Sequence, residues 1–491
     1  MIKNREVLFF CCFVFFSVFY ALVAAGYLWS GYMPAFGQQV YDYYYLSLID
    51  GRMDISPRII RFEGHYTPDG LAVIYHGVAP LVTRALLAPF VDIRSLSLAP
   101  FSIWLWSVIG TGIYHALFAR YLANQVIEKN SVYLQLQFLL AIGLWLGGPG
   151  LLLVANTAMY HEPISMTYAL VAAFVWLILW QHRNMPGRDM RWRLVLLALL
   201  AGLVLHARPN VAVGLYLAVG LLSLYSLYRN WRLALVPVAC AGIVLGLLTA
   251  GYLGLNAMRM GSLFAVHGSF GASDIQYGET FFGLEQTDSI RAAAFEQYGR
   301  FNPLRIIPNL VIYLGDFEFS SASVLLRWIH AVIISAMVGF VRIEGPSVGV
   351  IFLWPLWFIL AVLGAKRLRL ALTPTTLLLA GLACSVLLTL SYGTIALRYR
   401  IDMWPMIAVL LIPGIQSFAA VPAAGGHARP QLLAIAAVIL FGAFISLKAA
   451  AVYSEYFTYN IFSLPWSDAE CHDIMRHKGF DQADVERLCL I

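Results

Sequence analysis

Apolar runs long enough to cross a lipid bilayer dominate this chain, and they restrict its fold more than any other feature. A spanning helix needs roughly 20 apolar residues. Inside the bilayer every backbone N–H and C=O must be paired within the protein, which favours helices for runs of this length. The sequence therefore predicts an all-α polytopic membrane protein of about 11 transmembrane helices. They are expected near residues 7–29, 96–119, 133–154, 164–181, 192–206, 210–228, 233–255, 347–364, 371–391, 403–418 and 430–450.

The composition agrees with this class of protein. Hydrophobic residues make up 60% of the chain and charged residues 12%, and the mean hydropathy is +0.75. An ordinary soluble domain is far less apolar. The first run, 7–29, exceeds the roughly 7 to 15 residues of a signal-peptide core, although VAA before Gly26 resembles a cleavage site. We therefore expect an uncleaved first helix.

Basic residues predict the orientation of the helices. Arg229 and Arg232, together with Lys366 and Arg367, all fall on one side if the segment 321–340 does not cross the membrane. Cytoplasmic loops carry the excess of Lys and Arg. We therefore expect 321–340 to lie at the membrane surface or in a re-entrant position. The N-terminus is then cytoplasmic and the C-terminus outside, in a membrane that we expect to be the bacterial inner (plasma) membrane.

This orientation gathers three long polar segments, 31–95, 256–346 and 453–491, on the outer face. We divide the chain into a transmembrane domain, 1–452, and an outer C-terminal tail, 453–491. Cys471 and Cys489 lie in that tail and could pair in an oxidising compartment. The basic residues are mostly accounted for by the inner loops, so nothing indicates nucleic-acid binding.

Asp42 is the candidate of most interest in the first outer segment. It lies in QQVYDYYYLSLID, where Tyr41, Tyr44 and Tyr45 share one helical face with Leu48. Such a segment is expected to lie along the membrane interface with its aromatic face down. The alternative is a solvated acid on an amphipathic helix.

Two short outer loops also carry polar residues. NTAMYHEP presents Tyr160, His161 and Glu162 before Pro163, where helix capping is the structural alternative to acid–base or metal chemistry. HARPN places Arg208 close to hydrocarbon, which costs at least a few kcal/mol unless the side chain snorkels or finds an anion.

The loop SYGTIALRYRID contains Arg398, Tyr399, Arg400 and Asp402 on the predicted outer side, against the charge rule that the other short loops follow. Two guanidinium groups suit a phosphate, because each can bind it through two parallel hydrogen bonds. The alternative is a surface pair between Arg400 and Asp402, worth about 1 kcal/mol or less.

With these residues the layout resembles the GT-C superfamily, membrane glycosyltransferases that use lipid-phosphate-linked sugars. The resemblance rests on an acid after the first helix (Asp42), an acid between the third and fourth helices (Glu162), and the short motifs YHEP, ARPN, NAMRMGS and LRYRIDMWP. In one respect the chain departs from the pattern: many members carry an acidic pair at the first site, whereas Tyr43 follows Asp42 here.

The resemblance implies a function and roles for these residues. A sugar would pass from a polyprenyl-phosphate donor to a glycan or lipid acceptor hydroxyl on the outer face, with inversion, and Asp42 would be the general base. The other roles that it implies are phosphate binding by Arg208, Arg398 and Arg400, sugar binding by Tyr45, His76, Tyr160 and Tyr399, and a divalent metal (Mg or Mn) on His161 and Glu162.

Three other functions fit parts of the same pattern. A transporter or flippase would also place Arg and His along a cavity, but no broken helices recur in matching halves. An outer-face glycan polymerase or ligase would use Arg-rich loops as well. A catalytically inactive scaffold that binds a polyprenyl lipid fits the single acid at Asp42.

Overall fold

The computed structural model describes residues 2–29, 34–125, 131–180, 190–264, 275–283, 289–368, 371–420, 428–456 and 465–490. Parts of the predicted outer segments, residues 31–33, 265–274, 284–288, 457–464 and 491, lie outside this range. The helices up to residue 260 are α1 (Ile2–Ala24), α2 (Val40–Ile49), α3 (Pro57–Ile60), α4 (Leu81–Leu87), α5 (Ala99–Gln125), α6 (Ser131–Gly147), α7 (Pro149–Val154), α8 (His161–Leu179), α9 (Met190–Leu205) and α10 (Pro209–Met260).

The second half of the chain adds further helices and contributes to two small sheets. Its helices are α11 (Gly278–Phe281), α12 (Ser289–Tyr298), α13 (Ile306–Gly315), α14 (Ala322–Val338), α15 (Val350–Leu353), α16 (Pro355–Arg367), α17 (Pro374–Ser391), α18 (Trp404–Ala420), α19 (Ala428–Glu455), α20 (Asp468–His477) and α21 (Gln482–Cys489). Short 3-10 helices cover Arg61–Glu63, Pro303–Arg305 and Leu397–Met403.

Every apolar run predicted from the sequence contains a helix, so the prediction of a mostly helical membrane protein is confirmed. Among the described residues, 7 helices are long and apolar enough to cross a membrane. This makes the chain an integral membrane protein. The count of about 11 spans is not confirmed. The predicted spans near 192–206, 347–364 and 403–418 correspond to α9, α16 and α18, which have only 16, 13 and 17 residues, and two predicted spans lie within α10.

The basic residues Arg229 and Arg232 mark the point where two predicted helices meet. α10 is continuous in hydrogen bonding, but Asn230 inside it has a φ of −163° and a ψ of 85°, far from helical values. The Asn230 side chain accepts a hydrogen bond from the backbone N–H of Leu233 at 3.4 Å and so caps the second half. The two predicted helices are therefore present, joined by a kink.

Small residues let the helices of the bundle approach closely. A Cβ atom at Gly364 of α16 would lie 1.8 Å from the carbonyl oxygen of Leu410 on α18, and one at Gly414 would lie 2.1 Å from that of Leu360. Close contact between small residues is a common way to pack helices in lipid, where apolar burial between helices gains little. We expect larger residues at Gly364 or Gly414 to force these helices apart.

The predicted outer segments contact one another through a small antiparallel sheet. The strands β1 (His65–Tyr66), β2 (Ala72–Val73) and β3 (Gln276–Tyr277) pair in the order β2-β1-β3. His65 lies opposite Val73 on one side and Tyr277 on the other. Residues some 210 positions apart are thus neighbours. A second, parallel pair joins β4 (Arg342–Ile343) to β5 (Thr394–Ile395).

The C-terminal tail packs against the first outer segment. Cys471 and Cys489 form a disulfide, as the sequence allowed. The backbone N–H of Trp466 donates to the carbonyl of Arg58 at 3.0 Å, and the Arg58 Nε donates to the carbonyl of Trp466 at 3.1 Å. Ser56 Oγ donates to the carbonyl of Leu488 at 3.1 Å. The tail therefore holds residues 56–58 in place.

Two expectations about local structure need comment. The aromatic face of α2 does not lie on a membrane surface, because Tyr41 and Tyr44 are both completely buried within the protein.

Segment 321–340 does form a helix, α14, and most of its large apolar side chains are exposed. Arg327 anchors that helix to Asp316 at 2.9 Å. Its placement at the membrane surface stays a prediction.

Candidate functional site

Asp42 lies in the first turn of α2, where the helix dipole favours an acidic residue. Its side chain is buried. One carboxylate oxygen accepts from Arg84 Nε at 2.9 Å and from the backbone N–H of Leu98 at 3.4 Å. The other accepts from Ser97 Oγ at 2.9 Å. Burial raises the pKa of Asp42 above its usual range, and Arg84 and Ser97 oppose that rise.

Arg84 joins Asp42 to Glu162, and we call these three residues the Arg84 centre. Arg84 Nη2 donates to Glu162 Oε1 at 2.9 Å, and Nη1 donates to Oε2 of the same carboxylate. All three side chains are at most 1% exposed. The structure therefore brings together Asp42 and Glu162, the two acids that the sequence analysis selected. Their shared partner is Arg84, which the sequence analysis did not select.

Arg84 left one signal in the sequence. It is the only charged residue of α4, LVTRALL, between apolar neighbours. A charge in such a setting is expensive unless it finds a partner. The cost of an unpaired charge among apolar residues, which indicated Arg208, therefore indicates Arg84 as well.

The predicted metal ligands do not fit a shared metal ion. His161 Nε2 lies 2.8 Å from the hydroxyl of Tyr453 on α19, while both oxygens of Glu162 are bound by Arg84. In the part of the chain that the structure describes, no group of three or more His, Cys, Asp or Glu side chains could hold a metal ion. The divalent-metal prediction on His161 and Glu162 is therefore not supported by the arrangement of these side chains.

Arg208 and Arg398 both lie close to the ring of Tyr399. Arg208 Nη2 is 2.8 Å from Asp402 Oδ2, and its guanidinium lies 5.3 Å from the centre of the Tyr399 ring. Arg398 Nη1 is 2.6 Å from Glu344 Oε2, and its guanidinium lies 5.0 Å from the same ring. Two of the three predicted phosphate ligands are thus neighbours through one aromatic ring, and each has an acidic partner.

Arg400 contacts a different set of residues from Arg208 and Arg398. Its Nη2 donates to Ser347 Oγ at 2.9 Å, and its guanidinium lies 5.1 Å from the centre of the Tyr313 ring. Burial lowers the pKa of Arg400 to about 10. The alternative of a surface pair between Arg400 and Asp402 is wrong, because Asp402 pairs with Arg208 and both Arg400 and Asp402 are buried.

An aromatic group lies beside the Arg84 centre. The ring centroids of His76 and Tyr160 are 5.4 Å apart, and those of Tyr75 and His76 are 3.9 Å apart, with the two rings tilted by 31°. The guanidinium of Arg398 lies 4.9 Å from the centre of the Tyr160 ring. The structure therefore brings His76, Tyr160 and Tyr399 into one neighbourhood, whereas Tyr45 lies on α2, partly exposed.

Glu63 lies among these rings, and sequence reasoning did not select it. Its carboxylate is hydrogen-bonded to the hydroxyls of Tyr160 and Tyr277, and the Tyr75 hydroxyl lies 3.5 Å from Glu63 Oε2. Burial raises the pKa of Glu63 above its usual range, and the two tyrosine hydroxyls oppose that rise. We call Glu63, Tyr75, His76, Tyr160 and Tyr277 the Glu63 cluster.

The Glu63 cluster is less deeply buried than the Arg84 centre, although its Tyr277 is buried. Glu63, Tyr75, His76 and Tyr160 all keep partial exposure. Burial, with His65, Arg398 and Arg259, lowers the pKa of His76 to about 3, so this ring is neutral near pH 7. The cluster can therefore present hydrogen-bonding groups and aromatic faces to a polar ligand.

Comparisons with known proteins give a limited picture. No family model matches the chain, and no curated protein matches it. Among solved structures, the chain is similar to an Archaeoglobus fulgidus oligosaccharyltransferase, a protein of the GT-C fold, in its complex with Zn and sulfate, at 12% identity and a TM-score of 0.49 over 97% of this chain and 57% of that one.

Two further structures of the same archaeal enzyme give similar values. The apo form has 13% identity and a TM-score of 0.48, covering 98% of this chain and 60% of that chain. The complex with an inhibitory peptide and a dolichol-phosphate has 13% identity and a TM-score of 0.45, covering 98% and 59%. The chain spans less than two thirds of the length of these proteins. Because the sequence identities and TM-scores are this low, the likeness supports no statement about function. Any functional conclusion rests on the residues described above.

Proposed function

We propose that this chain is a membrane glycosyltransferase that moves a sugar from a polyprenyl-phosphate donor to an acceptor hydroxyl on the outer side of the membrane. One observation supports this most: Asp42, Arg84 and Glu162 are hydrogen-bonded to one another, and Tyr160, two residues before Glu162 in the chain, is hydrogen-bonded to Glu63. A buried acidic pair and a partly exposed aromatic cluster therefore share the first turn of α8.

Asp42 is our proposed general base. Its Oδ2 is bonded to Ser97, which is partly exposed, so an acceptor hydroxyl could replace the Ser97 hydroxyl on that oxygen. The acceptor oxygen would attack the anomeric carbon while its proton passes to Asp42. The bond between the anomeric carbon and the phosphate oxygen breaks, and its electron pair stays on the phosphate. Attack from the side opposite the leaving group inverts the anomeric centre.

Arg84 and Glu162 have a positioning role in this proposal. The guanidinium fixes Asp42 through Nε and Glu162 through both Nη atoms, so neither acid can rotate without breaking a buried hydrogen bond. A base held in one orientation loses less entropy when the acceptor arrives. No step passes through a metal ion.

The arginines would stabilise the departing phosphate. Arg398 and Arg208 both lie close to the ring of Tyr399, and both are largely buried, where a charge interaction is stronger than in water. Their acidic partners, Glu344 and Asp402, keep the guanidinium groups in place while no donor is bound. Preorganised cations of this kind are expected to contribute strongly to the rate of phosphate departure.

The test uses the full chain in proteoliposomes with radiolabelled polyprenyl-phosphate sugars and a panel of hydroxyl acceptors. Asp42→Asn removes the proton acceptor but keeps the shape, so transfer should fall by roughly 10²- to 10⁴-fold. Asp69→Asn, exposed in the turn between β1 and β2, is the matched control and should retain activity.

Two outcomes would contradict the proposal. Full transfer by the Asp42→Asn variant would remove Asp42 as the base. Movement of label across the bilayer by the wild-type protein, without any covalent transfer, would instead identify a transporter or flippase.

A further inference from the structure

A sharp turn of the backbone presents Glu63 to the aromatic cluster. Arg61 has a φ of 53°, in the left-handed region that non-glycine residues rarely occupy. The Tyr66 hydroxyl donates to the carbonyl of Arg61 and supports the turn. Gly64, which follows Glu63, leaves no room for a side chain, because a Cβ atom there would lie 2.9 Å from Ile60. Such strain is maintained only where the surroundings fix it, and it is concentrated at functional sites.

The hydroxyl groups around Glu63 come from three distant parts of the chain. Tyr75 belongs to the first outer segment, Tyr160 precedes α8, and Tyr277 lies on β3. Hydroxyl donors are neutral, so they satisfy the carboxylate without cancelling its charge, and Arg291 and Arg398 act on it electrostatically. Asp42, in contrast, accepts a hydrogen bond directly from a guanidinium.

Sugars match this surface chemically. A pyranose has hydroxyl groups at its edge and an apolar C–H face, and ligand sites commonly combine aromatic walls with a few well-placed polar groups. The adjacent Tyr75 and His76 rings offer the face, and the Glu63 carboxylate offers the acceptor. The guanidinium of Arg398, the proposed phosphate ligand, lies 4.9 Å from the centre of the Tyr160 ring.

We infer that the Glu63 cluster is the subsite that recognises the donor's sugar, a pyranose without a carboxylate of its own. Glu63 accepts hydrogen bonds from the sugar hydroxyls, which replace one or more of the tyrosine hydroxyls. A uronic acid facing Glu63 would meet a like charge, which is unfavourable in a partly buried site. This inference rests on the proposed function, and it makes Glu63 a specificity residue while Asp42 remains the base.

Binding can be measured apart from transfer. The probes are a polyprenyl phosphate that carries one neutral hexose and the same polyprenyl phosphate without a sugar, each titrated into the full-length protein in nanodiscs. Wild-type protein should bind the sugar-bearing lipid more tightly than the bare lipid. Glu63→Gln should weaken binding of the sugar-bearing lipid by roughly 10- to 100-fold, the usual range for a lost hydrogen bond to a charged group. It should leave binding of the bare lipid unchanged.

Two further variants make the test specific. Glu296→Gln, on the exposed face of α12, removes the same charge outside the cluster and should bind both lipids as the wild type does. Tyr277→Phe removes one hydroxyl from Glu63 and should weaken only the sugar-bearing lipid, by a few-fold. A thermal unfolding measurement in each variant separates lost binding from lost folding.

The kinetic readout separates recognition from catalysis. Glu63→Gln should raise the KM for the donor and leave kcat within about threefold, because uniform binding is lost. A loss of kcat at unchanged KM, with loss of the acidic limb of the pH profile, would make Glu63 the base and overturn the inference. Equal binding of the two lipids by wild-type protein would overturn it as well. If sugar-selective binding is present and depends on Glu63 but no transfer is detected, the inference stands and the proposed enzyme does not.

Discussion

The Arg84 centre and the Glu63 cluster both hold carboxylates against the same end of α8, yet they neutralise them differently. At the Arg84 centre, two acids share one guanidinium in an environment closed to water. In the Glu63 cluster, one acid is surrounded by tyrosine hydroxyls and remains partly exposed. A closed ion pair fixes geometry, whereas a hydroxyl-lined carboxylate can exchange its partners for those of a ligand.

The different partners of these carboxylates indicate different roles for the two regions. Breaking a buried ion pair by removing one partner leaves an uncompensated charge in a dry environment. Removing a hydroxyl beside an accessible acid lets water take its place, at a smaller cost. We therefore expect substitutions at the Arg84 centre to affect folding first, and those in the Glu63 cluster to affect recognition first.

The largest effect on stability is expected for Arg84→Met. This change leaves Asp42 and Glu162 buried without a cation, and removal of one partner from a buried pair typically costs about 3 to 5 kcal/mol. The unfolding transition of the detergent-solubilised protein should therefore move to markedly lower temperature. Adding Asp42→Asn and Glu162→Gln to the same chain should recover part of the loss, since the uncompensated charges are then absent.

Arg94→Met is the matched control for this prediction, because Arg94 is exposed. It should unfold like the wild type. An Arg84→Met protein as stable as the control would mean that the two acids do not depend on the guanidinium, and the contrast between the two regions would fail.

The disulfide tests how the Glu63 cluster is held. Cys471 and Cys489 close a loop with a sequence separation of 18, and a crosslink over a loop of this size stabilises by about 3 kcal/mol. The Cys471→Ser/Cys489→Ser variant should make the tail more sensitive to protease. Because the tail holds Arg58, shortly before Glu63, binding of the sugar-bearing lipid should weaken too.

Reductant provides the control for this second prediction. It should make the wild-type tail sensitive to protease and have no effect on the double variant. A tail that stays resistant in the double variant would show that its contacts with residues 56–58 suffice without the disulfide.

The sequence predicted the helical elements well, and the reason is physical. Apolar runs of membrane length leave the backbone few alternatives to a helix, and a pair of basic residues at Arg229 and Arg232 marked the kink at Asn230. The pairing of Cys471 with Cys489 could also be anticipated, because both lie in one short polar tail.

The site was harder to predict, because its partners are far apart in the chain. Asp42 and Glu162 were selected, but the choice of Arg84 as their shared partner depends on how α2, α4 and α8 pack. Glu63 in RFEGH carries no motif. Its position follows from the turn at Arg61 and from Tyr277, which reaches it only through the pairing of β1 with β3. Local patterns therefore found the acids, and tertiary contacts decided their environments.

A carboxylate outside both regions, Asp402, allows a test through the pH dependence of stability. It is buried beside Arg208, and burial raises its pKa from 3.8 to about 6, although Arg208 opposes the rise. The folded protein therefore binds the proton more tightly than the unfolded chain does. The contribution of Asp402 to stability is fully present below pH 3.8 and is lost as the pH rises through about 6.

Between pH 4 and pH 7, this group alone should lower the free energy of unfolding by about 2 kcal/mol. Asp402→Asn cannot titrate, so its unfolding should vary less over this interval than that of the wild type. Burial raises the pKa of Asp42 too, against the opposing effect of Arg84, so Asp42 contributes to the pH dependence in the same sense as Asp402. A wild-type profile whose pH dependence is unchanged by Asp402→Asn would show that Arg208 keeps Asp402 ionised throughout this interval despite its burial.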